Sequence, residues 1–496
     1  MPACRKLGRR ELRIPEAQSP RRTLLGSWPL SSYHVGVKPR EDDDELAEAI
    51  FLERESRRRW RWALDARGDS KRVAIACQGG GSHTAFTAGA LKRLLRAEEL
   101  KGHEVVGLSG TSGGAVCALL AWHYLLRGDR VGAEAALDAF WRDNSASAPH
   151  EQLVNHWIVW ASNLQNFVAM PAVSPYDNYF SDSAADEFRR MLERRVDFGE
   201  VEVQPEGSYP MLLVGAVDVL SGEFRAFNSR RDKISSETIL ASAAIPTLFR
   251  AVRLDDGGTY WDGLFSQNPP VRELTDERPD EIWVIQINPK ELETEPRTVT
   301  EIADRRNELS GNLSLHQELR SIEKIDQLLE EGLLSREGKY KQIVVRVIEL
   351  SRSRFSRSLG TASKLNRDPG FIRDLMEHGE AQAEEFLAAL AFEEAWKNRD
   401  ADAVMGFFAE DAELVSSAPF PEAGSYKGRV QIQPFVAKHM AEEVRVDLTK
   451  KQVARDGVAW TVRGLTGDGR SDRSEGTAEG EFREGKIKAL RLSAGT

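Results

Sequence analysis

Two glycine-crowded turns constrain this chain more than any other feature. The first, CQGGGSHTAFTAGAL at 77–91, follows the apolar run RVAIAC at 72–77; the second lies within GLSGTSGGAVCALLAW at 107–122, after the apolar run EVVGLS at 104–109. Each passes straight into an apolar helix, so each is a strand–turn–helix connection. A plain connector needs no glycines packed around Ser112. A turn that lifts a hydroxyl out of a strained backbone, with N–H groups bared beside it, does need them. The three glycines at 79–81 likewise free backbone N–H groups at a helix N-terminus, where partial positive charge favours an anion. That anion is either a nucleotide phosphate or the oxyanion of a tetrahedral intermediate.

The same alternation continues along the chain. Apolar strands are expected at 211–219, 281–287 and 342–348, with helical stretches between them, which indicates a mostly parallel sheet covered on both faces. From about residue 384 the pattern changes to short helices and then alternating strands, with hairpin turns at RDG (455–457) and REG (483–485). Four regions result: a poorly ordered basic segment at 1–43, a charged helix or linker at 44–70, an α/β domain at 71–375 and a smaller α+β domain at 384–496. Such a division suits a chain of 496 residues. RRRWRW at 57–62 reads as a solvated helix face or as an interfacial anchor. A net charge of −10 excludes wholesale nucleic-acid binding, and the scattered Cys4, Cys77 and Cys117 read as buried thiols in a reducing compartment. The expected location is cytoplasmic, since no stretch has the apolar length of a membrane span.

Three readings of the first turn compete. A dinucleotide fingerprint would need a third glycine where Thr84 stands and an acidic residue ending the next strand, and a Walker loop would need Lys-Ser/Thr. An oxyanion hole needs a nucleophile nearby, and Ser112 in Gly110-Thr111-Ser112-Gly113-Gly114 supplies one. That serine needs a base. His316 sits in a charged helical stretch, while His378 and His439 fall in or near the second domain. Asp262, in DGGTYWDGLFSQNPPV (256–271), taken alone reads as a turn aspartate.

Taken together, the GGG loop, the G-x-S-x-G elbow, the D-G segment and ASAAIPTLF (241–249) resemble the patatin-like phospholipase family over about residues 70–375, ending in SKLNRDPGFIRDL. The resemblance implies a three-layer α/β/α sandwich and a Ser–Asp dyad, with Ser112 as nucleophile and Asp262 as base. It also implies an oxyanion hole drawn from the amides of Gly79, Gly80 and Gly81, with Gly80 and Gly81 foremost and Gly113 beside the nucleophile. The implied activity is lipid acyl hydrolysis through an acyl-enzyme, on phospholipid or another acyl ester, without metal or cofactor. Acyl transfer at the same site and non-catalytic lipid binding are the alternatives. The chain departs from the family's D-G-G-G-x-R-G at Gln78, His83 and Thr84, and from its D-G-G/A at Leu264. His83 stands in the arginine's place as a candidate auxiliary donor, or else caps the helix or packs locally.

The aromatic segment 156–180 is read as ordinary core before acyl pocket or lid. The second domain resembles the SnoaL-like, or NTF2-like, family: a curved sheet forming a cone, into which Asp411, Tyr426, His439 and Trp460 are candidates to point. Homodimerisation through it, and peripheral contact of the chain with a membrane, are compatible with the sequence.

Overall fold

The computed structural model describes residues 70–494, apart from the stretches 98–99, 165–173, 336–339, 351–358, 418–422, 442–444, 455–456 and 466–470 and some single positions and side chains. The expectations for 1–43 and for the charged stretch after it, with its Arg–Trp run and Cys4, lie outside the described residues.

In chain order the first part runs β1 (Lys71–Cys77), α1 (Ala85–Arg96), β2 (His103–Thr111), α2 (Gly113–Leu125), α3 (Arg130–Asn144), α4 (Pro149–Leu164), α5 (Tyr179–Glu193), β3 (Met211–Asp218) and β4 (Phe224–Asn228). It continues through α6 (Ser236–Ala243), β5 (Val252–Arg253), β6 (Thr259–Asp262), β7 (Glu281–Gln286), α7 (Val299–Glu330) and β8 (Val344–Glu349). Next comes α8 (Pro369–Lys397), followed by α9 (Ala401–Phe407), β9 (Phe408–Ser416), β10 (Gly424–Lys427) and α10 (Arg429–Ala441). Four strands complete the chain: β11 (Arg445–Ala454), β12 (Gly457–Leu465), β13 (Ser471–Arg483) and β14 (Lys486–Ala494).

Strands β8, β7, β1, β2 and β3 are parallel neighbours in that order, and β6, β5 and β4 add antiparallel pairs beyond and beside β3. Side chains alternate across this sheet with the period of two that a pleat imposes. On β1, Val73, Ile75 and Cys77 enter a core shared with α1, α2 and α8, while Ala74 and Ala76 enter a second core with Leu315 and Ile322 of α7. Two cores on opposite faces of one sheet make the domain a three-layer α/β/α sandwich. Helix α2 is buried along most of its length, which is why its sequence is apolar all round. Helices α1 and α8 pack so closely that a Cβ on Gly89 would overlap the Met376 carbonyl, and one on Gly379 the Phe86 carbonyl.

The C-terminal strands form the mostly antiparallel sheet β10-β9-β14-β13-β12-β11. At the REG turn, Glu484 and Gly485 have φ of 51° and 73°, the left-handed pair that a two-residue type I′ hairpin needs. Helix α8 runs unbroken through the point where the sequence changes style, and its Phe392 edges against Phe408 and Phe482. The two sheets also meet directly: β11 pairs in parallel with β8, Lys451 opposite Arg346 through Val453 opposite Ile348.

Candidate active site

The parallel register fixes which turns emerge together. Cys77 is paired with Gly110, Thr111 with Gly215, and Ala216 with Asp262. The glycine loop, the Ser112 turn and the end of β6 therefore converge at one end of the sheet, the carboxyl ends of the parallel strands, where open α/β sheets place their sites.

Ser112 stands between β2 and α2 with φ 56° and ψ −131°, a backbone that a non-glycine residue adopts only when its surroundings impose it. The surroundings here are close approaches. A Cβ on Gly110 would overlap the Gly114 carbonyl, and one on Gly114 would overlap the Cys77 carbonyl. The turn is also tied from outside. The Ser112 N–H donates to Ser242 Oγ at 3.0 Å, and the Ser242 hydroxyl donates to the Gly215 carbonyl at 2.6 Å. Ser242 belongs to the ASAAIPTLF segment, at the end of α6, so the stretch that carried part of the family resemblance buttresses the elbow.

Asp262 is 1% exposed, and its carboxyl lies near the Ser112 hydroxyl, which favours its ionised form. Its Oδ1 also accepts the Leu264 N–H at 2.8 Å. Burial pushes its pKa up to about 7, against the lowering effects of the Leu264 N–H, the Ser112 hydroxyl and the nearby charge of Lys364. Because the bond at Leu264 comes from the backbone, leucine in place of the family's Gly or Ala leaves it intact.

In the glycine loop the Gly79 N–H donates to Asn268 Oδ1 at 2.7 Å, and Asn268 Nδ2 donates back to the Gly79 carbonyl at 3.4 Å. Asn268 thus clamps the first of the three glycines. The amides of Gly80, Gly81 and Gly113 meet no acceptor among the described residues. Gly81 has φ of 59°, and a Cβ on Gly80 would overlap Ile287. Gln78 explains its own departure from the family pattern. Its Oε1 accepts the N–H groups of Ile287 and Asn288 at 3.0 and 2.9 Å, and its Nε2 donates to Asn312 Oδ1 at 2.8 Å. A carboxylate could accept the first two bonds but could not make the third.

His83 is buried; its Nε2 bonds Ser363 Oγ at 2.8 Å and its ring edges Phe371. The Ser363 hydroxyl itself donates to the Gly360 carbonyl, so it accepts from His83. This is local packing onto the SKLNRDPG segment. The cation beside the glycine loop is Lys364, whose Nζ donates to Asn288 Oδ1 at 2.8 Å and whose backbone lies against Gly81. Asn268, Ser242 and Lys364 were not singled out from the sequence. The segments SQNPP, ASAAIP and SKLNRDPG carried them, but their partners lie far along the chain.

Other expectations separate here. Cys77 and Cys117 are buried thiols, and burial raises both pKa values, that of Cys117 to about 12. Asp411 is exposed and paired with Lys488 Nζ at 2.8 Å, so it does not point into the cone. Tyr426 and His439 both pack on Phe435, and the Trp460 side chain lies outside the described residues. In the aromatic segment, 165–173 lies outside the described residues, but the reading as core fails on α4. Leu153, Trp157 and Trp160 are 73%, 63% and 57% exposed, with Val154 and Ile158 beside them. The buried Asn155 on that helix ties it to the site, through Asn366 Oδ1 and the Arg367 N–H. No helix among the described residues is long and apolar enough to cross a membrane.

A three-layer α/β/α sandwich with a strained serine turn and a buried aspartate at one end of its sheet marks the class. Comparison with known families then names it: residues 75–275 match the patatin-like phospholipase family, and residues 389–490 match the SnoaL-like domain. The chain thus carries a patatin-like phospholipase domain followed by a SnoaL-like domain. No curated protein matches it. Among solved structures it is similar to an NTF2-like protein of unknown function from Mesorhizobium loti, at 19% identity over 23% of this chain and 92% of that one, TM-score 0.21. A protein from Catenulispora acidiphila with a ketosteroid isomerase-like fold, solved with trimethylamine, is 24% identical over 21% of this chain and 82% of its own, TM-score 0.19. An NTF2-like protein of unknown function from Burkholderia pseudomallei is 16% identical over 23% and 91%, TM-score 0.20.

Proposed function

We propose that the chain is a lipid acyl hydrolase working through a Ser112–Asp262 dyad. The observation that carries this reading is the convergence of the strained Ser112 turn and the buried Asp262 carboxyl at one end of the sheet. In the proposed reaction Asp262 takes the hydroxyl proton as Ser112 Oγ attacks the ester carbonyl carbon. The amides of Gly80, Gly81 and Gly113 receive the oxyanion, while Gly79 stays clamped by Asn268. Collapse expels the alcohol with the proton from Asp262, and water attacks the acyl-enzyme by the same route to release the fatty acid. Fatty-acid release from phosphatidylcholine vesicles, with fluorophosphonate labelling of Ser112, tests the reading. An unlabelled, inactive chain would leave a lipid-binding module.

The base works only when ionised, and burial holds its pKa at about 7. The rate should therefore climb with pH through about 7 and level off above it. A pH profile of kcat/KM flat from 5 to 8 would remove Asp262 from the role.

A phospholipase also has to meet its substrate at a surface. The exposed apolar stripe of α4, with two tryptophans and a polar anchor to the segment bearing Lys364, suits insertion at a lipid interface beside the site. Trp157→Ser/Trp160→Ser should lower vesicle hydrolysis about tenfold or more, since each ring contributes on the order of 1 kcal/mol or more to burial in lipid. Turnover of a short soluble p-nitrophenyl ester should stay unchanged. An equal loss on both substrates would sink the interfacial role.

A further inference from the structure

The opposite end of the same sheet holds a feature that the hydrolase reading leaves unused. At the amino ends of β1, β3 and β7 lies an open cleft of about 820 Å³, lined by five cations: Arg72, Arg230, Arg231, Arg278 and Lys341. Two acids, Asp276 and Glu277, share it. Glu104 and Asp280 also pair with Arg72 and Lys341, and the cleft still keeps a positive excess in a chain whose net charge is −10.

Part of the cluster is held rigid from within. Arg230 Nη1 pairs with Glu277 Oε1 at 3.0 Å, and Arg72 Nη2 donates to the Glu277 backbone carbonyl at 2.9 Å. Both guanidinium groups lie over the ring of Tyr209, at 4.7 Å for Arg72 and 5.4 Å for Arg230. Lys341 pairs with Asp280. Capacity nevertheless remains. Arg72 Nε is buried with no hydrogen-bond partner, and the exposed side chains of Arg231 and Arg278 have none among the described residues. Arg278 is moreover fixed at φ 50°, so the backbone sets its place on the rim.

From these residues we infer that the cleft is a second binding site, for a small anion carrying a doubly charged phosphate group. Planar guanidinium forks match phosphate oxygens pairwise, and a preorganised pair with two unspent neighbours supplies donors without much ordering cost. The site is separate from the ester-cleaving centre. The seven residues of β1 set the two ends of the sheet about 20 Å apart at ~3.3 Å per residue, so one phospholipid does not place its ester at Ser112 and its phosphate here.

Calorimetric titration of the full chain with inorganic pyrophosphate tests this, with a second arm of phosphatidylcholine vesicles containing or lacking phosphatidic acid. Saturable pyrophosphate binding is expected, weakened at least about tenfold by Arg231→Ala/Arg278→Ala. It should be partly restored by Arg231→Lys/Arg278→Lys, weakened by added salt, and unaffected by Ser112→Ala. Arginine-dependent binding only of vesicles with phosphatidic acid would support the site with a lipid as the source of the phosphate. Binding in neither arm, or binding undiminished in the double alanine variant, would overturn it.

Discussion

Ser112→Ala should bring fatty-acid release down by about four orders of magnitude or more, to the level left by binding alone. Asp262→Asn should cost a comparable amount, and the double variant should be no worse than either, because the two side chains act as one unit. Circular dichroism should show all three variants folded. Hydrolysis persisting in Ser112→Ala would end the dyad mechanism. Asp262→Asn carries a second, opposite effect. The folded carboxyl has its pKa raised to about 7 by burial, while in the unfolded chain it ionises near 4. The wild type therefore loses stability as pH rises between those values, and carries the full cost above 7. The asparagine variant should melt higher than the wild type at pH 8, and the gap should close toward pH 4. A variant less stable at both pH values would mean that the carboxylate is repaid by its neighbours.

The other large effect is expected far from the serine. Arg346 on β8 is buried between Glu281 of β7 and Glu393 of α8, at 2.7 and 2.9 Å. Burial alone would raise the pKa of Glu281, yet the guanidinium outweighs it and brings it down to about 2. Arg346→Met would leave two carboxylates in a low-dielectric interior, a loss of about 3–5 kcal/mol. Glu281 stabilises the wild type above its ordinary pKa, and that contribution fades as pH falls toward 2. In the variant the deficit should instead narrow on mild acidification, as the stranded carboxyls take up protons. Urea unfolding at pH 7.5 and pH 5 measures both. Replacing all three residues with apolar ones of similar volume should recover most of the loss, which separates charge burial from packing. A variant within 1 kcal/mol of wild type at pH 7.5 would show that water or rearrangement reaches the triad.

The site divides sharply into what local chemistry writes and what distance hides. The elbow could be read because its requirement is local: Gly110, Ser112 and Gly114 must coexist within one turn for α2 to pack against the glycine loop. Strands β1, β2, β3 and β7 could be read as apolar runs because both faces are buried. Asn268, which clamps Gly79, could not, since nothing in SQNPP reveals a partner 189 residues away. The same holds for Ser242, 130 residues from the serine whose amide it holds. Gln78 looked like a defect until its three partners, two in the loop after β7 and one on α7, came into view. On α4 the aromatic composition was clear but its direction was not. Trp157 and Trp160 face outward while Asn155, the polar residue, is buried, the reverse of the usual pattern.

The pairing of β11 with β8 bears on heredity and engineering as much as on architecture. A parallel sheet ending at β8 would present an open row of amides and carbonyls, the kind of edge that recruits strands from other copies. Here that edge is closed by the chain's own later half, and α8 is common property of both. The SnoaL-like portion is thus no appendage to be trimmed for convenience. Removing it would uncover an adhesive border and cut through a shared helix, so the two portions are bound to be lost, kept and improved together.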